Sequence, residues 1–362
     1  MKSKIFILLI SVFTFIVGCN GSNNSDTQSD DELIIDPVEE EEEEEIPEVI
    51  EEVDENPETF SSVVDQYGQL TINGNKIVDK NGTPVQLRGM SFFWSQWIGK
   101  YYNKEAVKWL KDDWQCTVVR AAMAVDDNDG YLTNPDLEKQ KVMAVIDAAI
   151  EEEIYVIVDW HSHHAEDYLD EAKAFFSELA QKYGEYPHII YEPYNEPLEV
   201  SWSEVLKPYH EAVIEAIREY DPDNLIICGT RSWSQRVDEV VGNKINDPNV
   251  AYTLHYYAAT HKQSLRDIAT TALNGDVPIF VTEYGVSEAS GDGTINETEA
   301  NTWWDYLDEH KISWCNWSVA DKEELSAALK PGASAQGGWE ESELTQSGIM
   351  VRNELKENNP EY

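Results

Sequence analysis

The chain has 362 residues, with 26 Lys and Arg against 70 Asp and Glu and a formal net charge of −44. That length allows one large domain or two ordinary ones. The acidity excludes nucleic acid and anionic membrane surfaces as partners, because phosphate binding needs clustered Lys and Arg. A neutral polymer substrate suits it better.

In chain order, Lys2 and Lys4 come first and precede the apolar stretch IFILLISVFTFIVG, which ends at Cys19. A basic start followed by a short apolar core describes an export signal over residues 1–18, too short to read as a free anchor across about 30 Å of hydrocarbon. IVGC resembles the lipobox of bacterial lipoproteins. That resemblance implies cleavage before Cys19 and lipidation of its thiol. With Asn20 next, it also implies an exported lipoprotein of the outer membrane or cell surface, touching membrane only through that anchor.

Residues 19–59 read as an acidic linker. Asp26 to Glu58 holds 18 of the 70 acidic residues, no Lys, Arg or aromatic, and Pro37, Pro47 and Pro57. Such a segment buries too little apolar surface to offset its ordering entropy, and it repels itself into an extended spacer. Outside it, 52 acidic and 26 basic residues remain.

After Phe60 the pattern changes. QLTINGNKIVDKNGTPVQLRG carries two hairpin signals, Asn73-Gly74 and Asn81-Gly82. Eight short apolar runs then follow: VQLRGMSFF, CTVVRAAM, YVIVDWH, HIIYEPYNEP, NLIICGT, VAYTLHYY, PIFVTEYG and ISWCNWS. Between them lie segments such as NPDLEKQKVMAVIDAAIEEE with apolar residues three and four apart, the spacing of helices. This alternation predicts a (β/α)8 barrel over residues 60–362, with an N-terminal hairpin; about 250 residues is typical of that fold. A doubly wound open sheet would carry a glycine-rich turn after its first strand, and RGMSFFW has none.

In a barrel the C-terminal strand ends surround one pocket. The polar residues there are Arg120, His161, Asn195 and Glu196, His255 and Tyr257, Glu283 and Trp317. Glu196 and Glu283 thus converge from the fourth and seventh runs. A structural ion pair is the plain alternative, but buried facing carboxylates are costly without a role. Glycosidic cleavage needs two such groups, about 5 Å apart for retention of configuration and wider for inversion; the sequence leaves that gap open. Arg120 and the Tyr257 hydroxyl beside Glu283 would favour its ionised form. Glu196, facing a second carboxylate, would hold its proton longer.

EPYNEP, TLHYYA, VTEYG, the RGMS of the first strand and WCNWSVADKEELSAALKPGASAQGGW together resemble family-five glycoside hydrolases, specifically bacterial endo-1,4-β-glucanases, from Tyr67 to the C-terminus. The resemblance implies Glu196 as acid/base and Glu283 as nucleophile, hence retention. It implies that Asn195 binds the sugar 2-hydroxyl, Arg120 and Tyr257 hold the nucleophile, and His161 and His255 shape the subsite. Trp317 would lie under the sugar, with Trp233 a leaving-side platform and Trp97 a distal one. Lys322 and Glu324 would contact hydroxyls on the non-reducing side. Two departures fall on those non-reducing subsites: Phe93 stands where relatives carry a histidine, and Ala124 where an aromatic is usual.

The partner implied is a β-glucan, bound by a monomer without any cofactor. No segment reads as a separate carbohydrate-binding module, so soluble or amorphous glucan is expected over crystalline cellulose. A mannanase, xyloglucanase or licheninase on the same scaffold is the near rival, and a non-catalytic glycan binder the distant one. The His161, His163, His164 cluster could suggest zinc, but no further ligand set accompanies it, and His163 and His164 read as loop residues at the cleft rim. Cys116, Cys228 and Cys315 sit in or beside strand runs and are expected as free core thiols, with one disulfide as the alternative.

Overall fold

The computed structural model describes residues 59–362; the export signal, Cys19 and nearly all of the acidic linker lie outside the described residues. β1 (Thr71–Asn73) and β2 (Lys76–Val78) pair antiparallel around Gly74, whose φ of 62° suits so tight a turn. The second signal, Asn81-Gly82, makes a turn but no second hairpin: it closes a single bridge between Val78 and Pro84.

The eight apolar runs become β3 (Arg88–Phe92), β4 (Val118–Ala124), β5 (Tyr155–His161), β6 (Ile189–Glu192), β7 (Leu225–Cys228), β8 (Val250–Tyr257), β9 (Ile279–Gly285) and β10 (Ser313–Val319). They are parallel and close into a barrel, β10 pairing with β3. Every residue of these strands is buried except Tyr257, which is half-buried at the mouth. Burial on both faces explains why the sequence shows continuous apolar runs and not alternation.

Helices wrap the outside, among them Lys104–Asp112, Pro135–Glu151, Leu169–Tyr183, Lys207–Arg218, Gln263–Asn274, Glu297–His310 and Gln346–Asn358. Their starts are capped by side chains: Asn103 accepts from Ala106 N–H, Asn296 from Glu299 and Thr345 from Gly348, each worth about 1 kcal/mol. One connection departs from strict alternation. Between β7 and β8 there is no long helix, and the chain makes a tight turn, Arg231–Ser234, and one short helical turn, Val237–Val240. Cys116, Cys228 and Cys315 are buried and free.

Candidate active site

Period-two alternation places Asp159 and His161 of β5 on one face, as it does His255 and Tyr257 of β8. β9 breaks the rule usefully. Its register slips against both neighbours: Thr253 pairs with Phe280 but His255 with Glu283, and Trp314 with Val281 but Asn316 with Tyr284. Such a bulge re-aims side chains, and here the consecutive residues Thr282 and Glu283 both reach the barrel mouth.

Arg120 is the hub. Fully buried, it donates from Nε to Glu192 Oε2 (2.7 Å), from Nη1 to Glu283 Oε2 (3.1 Å) and from Nη2 to Asn195 Oδ1 (2.7 Å), and it pairs with Asp159 Oδ2 at 2.9 Å. The Tyr257 hydroxyl donates to the other oxygen of Glu283 at 2.8 Å. One guanidinium thus faces three carboxylates in a dry site. Burial pushes the Asp159 carboxyl up to about 7, even against the pull of Arg120. Burial raises Glu192 as well, again opposed by Arg120. His161 donates Nδ1–H to Asp159 Oδ2 at 2.6 Å, and burial, then Arg120, hold it neutral with a pKa of about 3.

Glu196 sits between two imidazoles, His255 Nδ1 at 2.9 Å from Oε1 and His163 Nε2 at 3.1 Å from Oε2. The protons can be assigned through the network. Thr282 gives its hydroxyl hydrogen to Glu192 Oε1 (2.6 Å) and so accepts from His255 Nε2–H (2.9 Å). The His255 Nδ1 lone pair therefore faces Glu196, and a further proton must lie between them. The expectation that Glu196 holds its proton longer is not met. Burial alone would raise its carboxyl, but the bonds from His163 and His255 overcome that and hold it well below the usual carboxylate range. Both imidazoles are raised in return, burial opposing and Glu196 favouring their charged forms. His163, expected as a loop residue at the cleft rim, lies in that loop and lines the cleft, and it also reaches Glu196, which the sequence reading did not foresee.

One oxygen of Glu196, one of Glu283 and a ring nitrogen of His255 lie within 4.8 Å of one another. His161, His163 and His164 form no such set among the described residues. The cleft opens on both sides of this point. A lobe of about 450 Å³ lies toward Trp233, Gln235 and His261. Another, of about 240 Å³, is lined by Trp94, Trp97, His161, Trp317, Lys322 and Glu324. Trp97 is 55% exposed and Trp233 46%, so each offers an open ring face. Trp317 is buried, its ring parallel to that of His161 at 5.2 Å. Phe93 packs at 5.2 Å from Trp317, with the Lys322 ammonium 4.8 Å over its ring, and Lys322 is paired to Glu324.

The Arg231–Ser234 turn is left-handed, with φ of 58°, 55° and 56° at Ser232, Trp233 and Ser234. None is glycine, so each residue costs about 1–2 kcal/mol. Its amides are satisfied by the segment after β6: Ser232 N–H donates to Leu198 O (3.1 Å) and Trp233 N–H to Pro197 O (2.9 Å). Sequence reasoning missed this turn, together with Asp159, Glu192, Thr282 and Trp94, whose ring stands edge-on to His161 at 4.2 Å.

The sequence matches the family model described as cellulase (glycosyl hydrolase family 5) over residues 78–323. It is 48% identical over 301 residues to endoglucanase A of Evansella cellulosilytica, covering 82% of this chain and 61% of that protein. Among solved structures, a protein from Cytophaga hutchinsonii is 55% identical with a TM-score of 0.81, covering 82% of this chain and 97% of the other. A variant catalytic domain of Thermobifida fusca endoglucanase Cel5A, in complex with cellotetraose, is 36% identical with a TM-score of 0.78, covering 81% and 99%. The chain spans 61–65% of the lengths of three curated endoglucanases that it matches.

Proposed function

Because the chain belongs to glycosyl hydrolase family 5, we propose that it is a retaining endo-β-1,4-glucanase that cuts internal bonds of cellulose or related β-glucans by double displacement. The observation that carries this reading is the pair Glu196 and Glu283, whose oxygens come within 4.8 Å in a cleft open at both ends. That spacing suits a nucleophile, since inversion needs about 6.5–9.5 Å to seat a water.

In the first step a Glu283 oxygen attacks the anomeric carbon while Glu196 gives a proton to the departing glycosidic oxygen. The C–O bond breaks, and the leaving chain exits over Trp233. In the second step water attacks the same carbon, Glu196 takes its proton, and Glu283 is released. Arg120 and Tyr257 place one donor on each Glu283 oxygen and so fix the nucleophile's direction. Asn195 spends its carbonyl on Arg120, which leaves its NH₂ as a donor for the sugar 2-hydroxyl. The proton for the leaving oxygen is already close, on His255 or His163, one hydrogen bond from Glu196. We further propose export and lipid attachment at Cys19, supported by Lys2, Lys4 and IVGC; incorporation of labelled fatty acid, lost in Cys19→Ser, tests it.

Replacing Glu283 by Gly removes the nucleophile, so activity on carboxymethyl-cellulose should vanish. Azide should restore turnover of an activated aryl cellobioside, giving a glycosyl azide of inverted configuration. Rescue at Glu196→Gly instead would reverse the assignment, and no reducing sugar from the unaltered protein on any β-glucan would refute the reading.

A further inference from the structure

We propose that the left-handed turn Ser232–Trp233–Ser234 is a positioning element for Glu196, with Ser234 its principal contact, so that the leaving-side platform and the acid/base carboxylate are set by one rigid piece. This rests on the roles given above to Glu196 and Trp233.

Four of the residues around Glu196 are tied to the turn. The buried Ser234 hydroxyl donates to Asn195 O at 2.7 Å and accepts from Thr230 N–H at 3.3 Å. The carbonyls of Pro197 and Leu198 take the N–H groups of Trp233 and Ser232. Glu199 accepts from the Ser232 hydroxyl (2.5 Å) and from Arg231 (2.7 Å). On the opposite side the backbone of the same segment makes two longer bonds, Asn195 N–H to Trp160 O and Glu196 N–H to Ser162 O, both 3.3 Å, while Arg120 holds the Asn195 side chain and His163 and His255 the Glu196 carboxylate. The approach is close as well as hydrogen-bonded: a Cβ at Gly229, just before the turn, would meet Tyr194 O at 2.2 Å and Pro197 Cδ at 3.0 Å. Three consecutive non-glycine residues keep a disfavoured backbone here, and it both turns the Trp233 ring to the cleft and aims two amides and a hydroxyl at the Glu196 loop. Strain held at such a place points to the geometry being needed.

General acid catalysis matters most when the leaving group is poor, which supplies the test. kcat/KM, which reports the first displacement, would be measured for phenyl cellobioside and for 2,4-dinitrophenyl cellobioside, whose leaving group needs no proton. Ser234→Ala should lose about tenfold or more on the phenyl substrate and twofold or less on the dinitrophenyl one. Equal losses on both would make the turn mere scaffolding, and no loss on either would also overturn the inference. Should Ser234→Ala fail to fold, Ser232→Gly relieves strain at φ 58°. It should keep or raise Tm while lowering the phenyl to dinitrophenyl ratio, and an unchanged ratio would be equally decisive against. Failure of the unaltered protein on both substrates would instead overturn the proposed function, and this inference with it.

Discussion

Replacing His163 by Phe keeps a ring beside Trp94, 5.8 Å away, but removes the donor 3.1 Å from Glu196 Oε2. In the proposed first step Glu196 must be protonated, so the alkaline limb of kcat/KM against pH reports loss of that proton. A donor stabilises the carboxylate over the acid; deleting it raises the carboxyl's pKa and moves the limb upward. A hydrogen bond to a charged group is worth about 1.5–3 kcal/mol. The His163 side chain is 34% exposed, and solvent screening reduces this to about 1 kcal/mol, or somewhat under one pH unit. The limb belongs to the Glu196, His163 and His255 cluster as a unit, so its midpoint is followed as a whole, with phenyl cellobioside as substrate. Stability supplies a second reading. His163 has a raised pKa in the fold, so its contribution is complete below about 6.5 and is lost as pH climbs through the raised value. The Phe variant should therefore lose more Tm at pH 5.5 than at pH 8. An alkaline limb that stays in place, or moves down, would refute the assignment of His163 to Glu196.

Arg120→Met strands three buried carboxylates without their cation, and breaking such a set costs about 3–5 kcal/mol. Thermal unfolding should drop by roughly 10 °C, with activity lost as well; an unchanged Tm would refute the hub role. Asp159 rises from 3.8 to about 7 in the fold, so the folded state keeps a proton that the unfolded chain releases above about pH 4. The associated stability is complete below that pH and is lost as pH rises through 7, on the order of 4 kcal/mol across the window. Asp159→Asn should flatten the change in urea-unfolding free energy between pH 4.5 and 7.5, and identical slopes in both proteins would count against it.

Much of this arrangement could be read in the chain because burial on both faces makes barrel strands stand out as apolar runs. A polar residue at the end of such a run, Glu196 or Glu283, then has one place to go. Asp159 and Glu192 also carried a signal: each is an acid inside an otherwise apolar strand, and Asp159 is two residues before His161, hence on the same face. The β9 bulge had none, since nothing in PIFVTEYG marks where register slips, so Thr282 went unnoticed beside Glu283. His163 depends on loop geometry, and two-residue alternation does not extend past a strand end. The left-handed turn was hidden for a different reason. Glycine or asparagine normally marks that backbone, and Ser-Trp-Ser adopts it only because the Glu196 loop supplies acceptors in place.

The electrostatics explain why so many acids crowd one arginine. With Asp159, Glu192, Glu196 and Glu283 all ionised around Arg120 and the histidines neutral, the cluster would carry a net charge of −3, which a dry barrel mouth does not tolerate. The groups shift instead: burial raises Asp159 to about 7 and raises Glu192 as well, while the imidazoles beside Glu196 are raised by that carboxylate against the effect of burial. The excess of carboxylates thus favours the protonated forms in the site, a store of protons within reach of a leaving oxygen. Thr282 directs that store. By giving its hydrogen to Glu192 it obliges His255 to turn a lone pair to Glu196, so that the shared proton lies on the side of the cleft and not in the barrel core. Arg120 completes the division of labour by spending one of its donors on Glu283 and none on Glu196. The imidazoles therefore face the acid/base carboxylate, and the carboxylate that must attack is held by a guanidinium and a phenol.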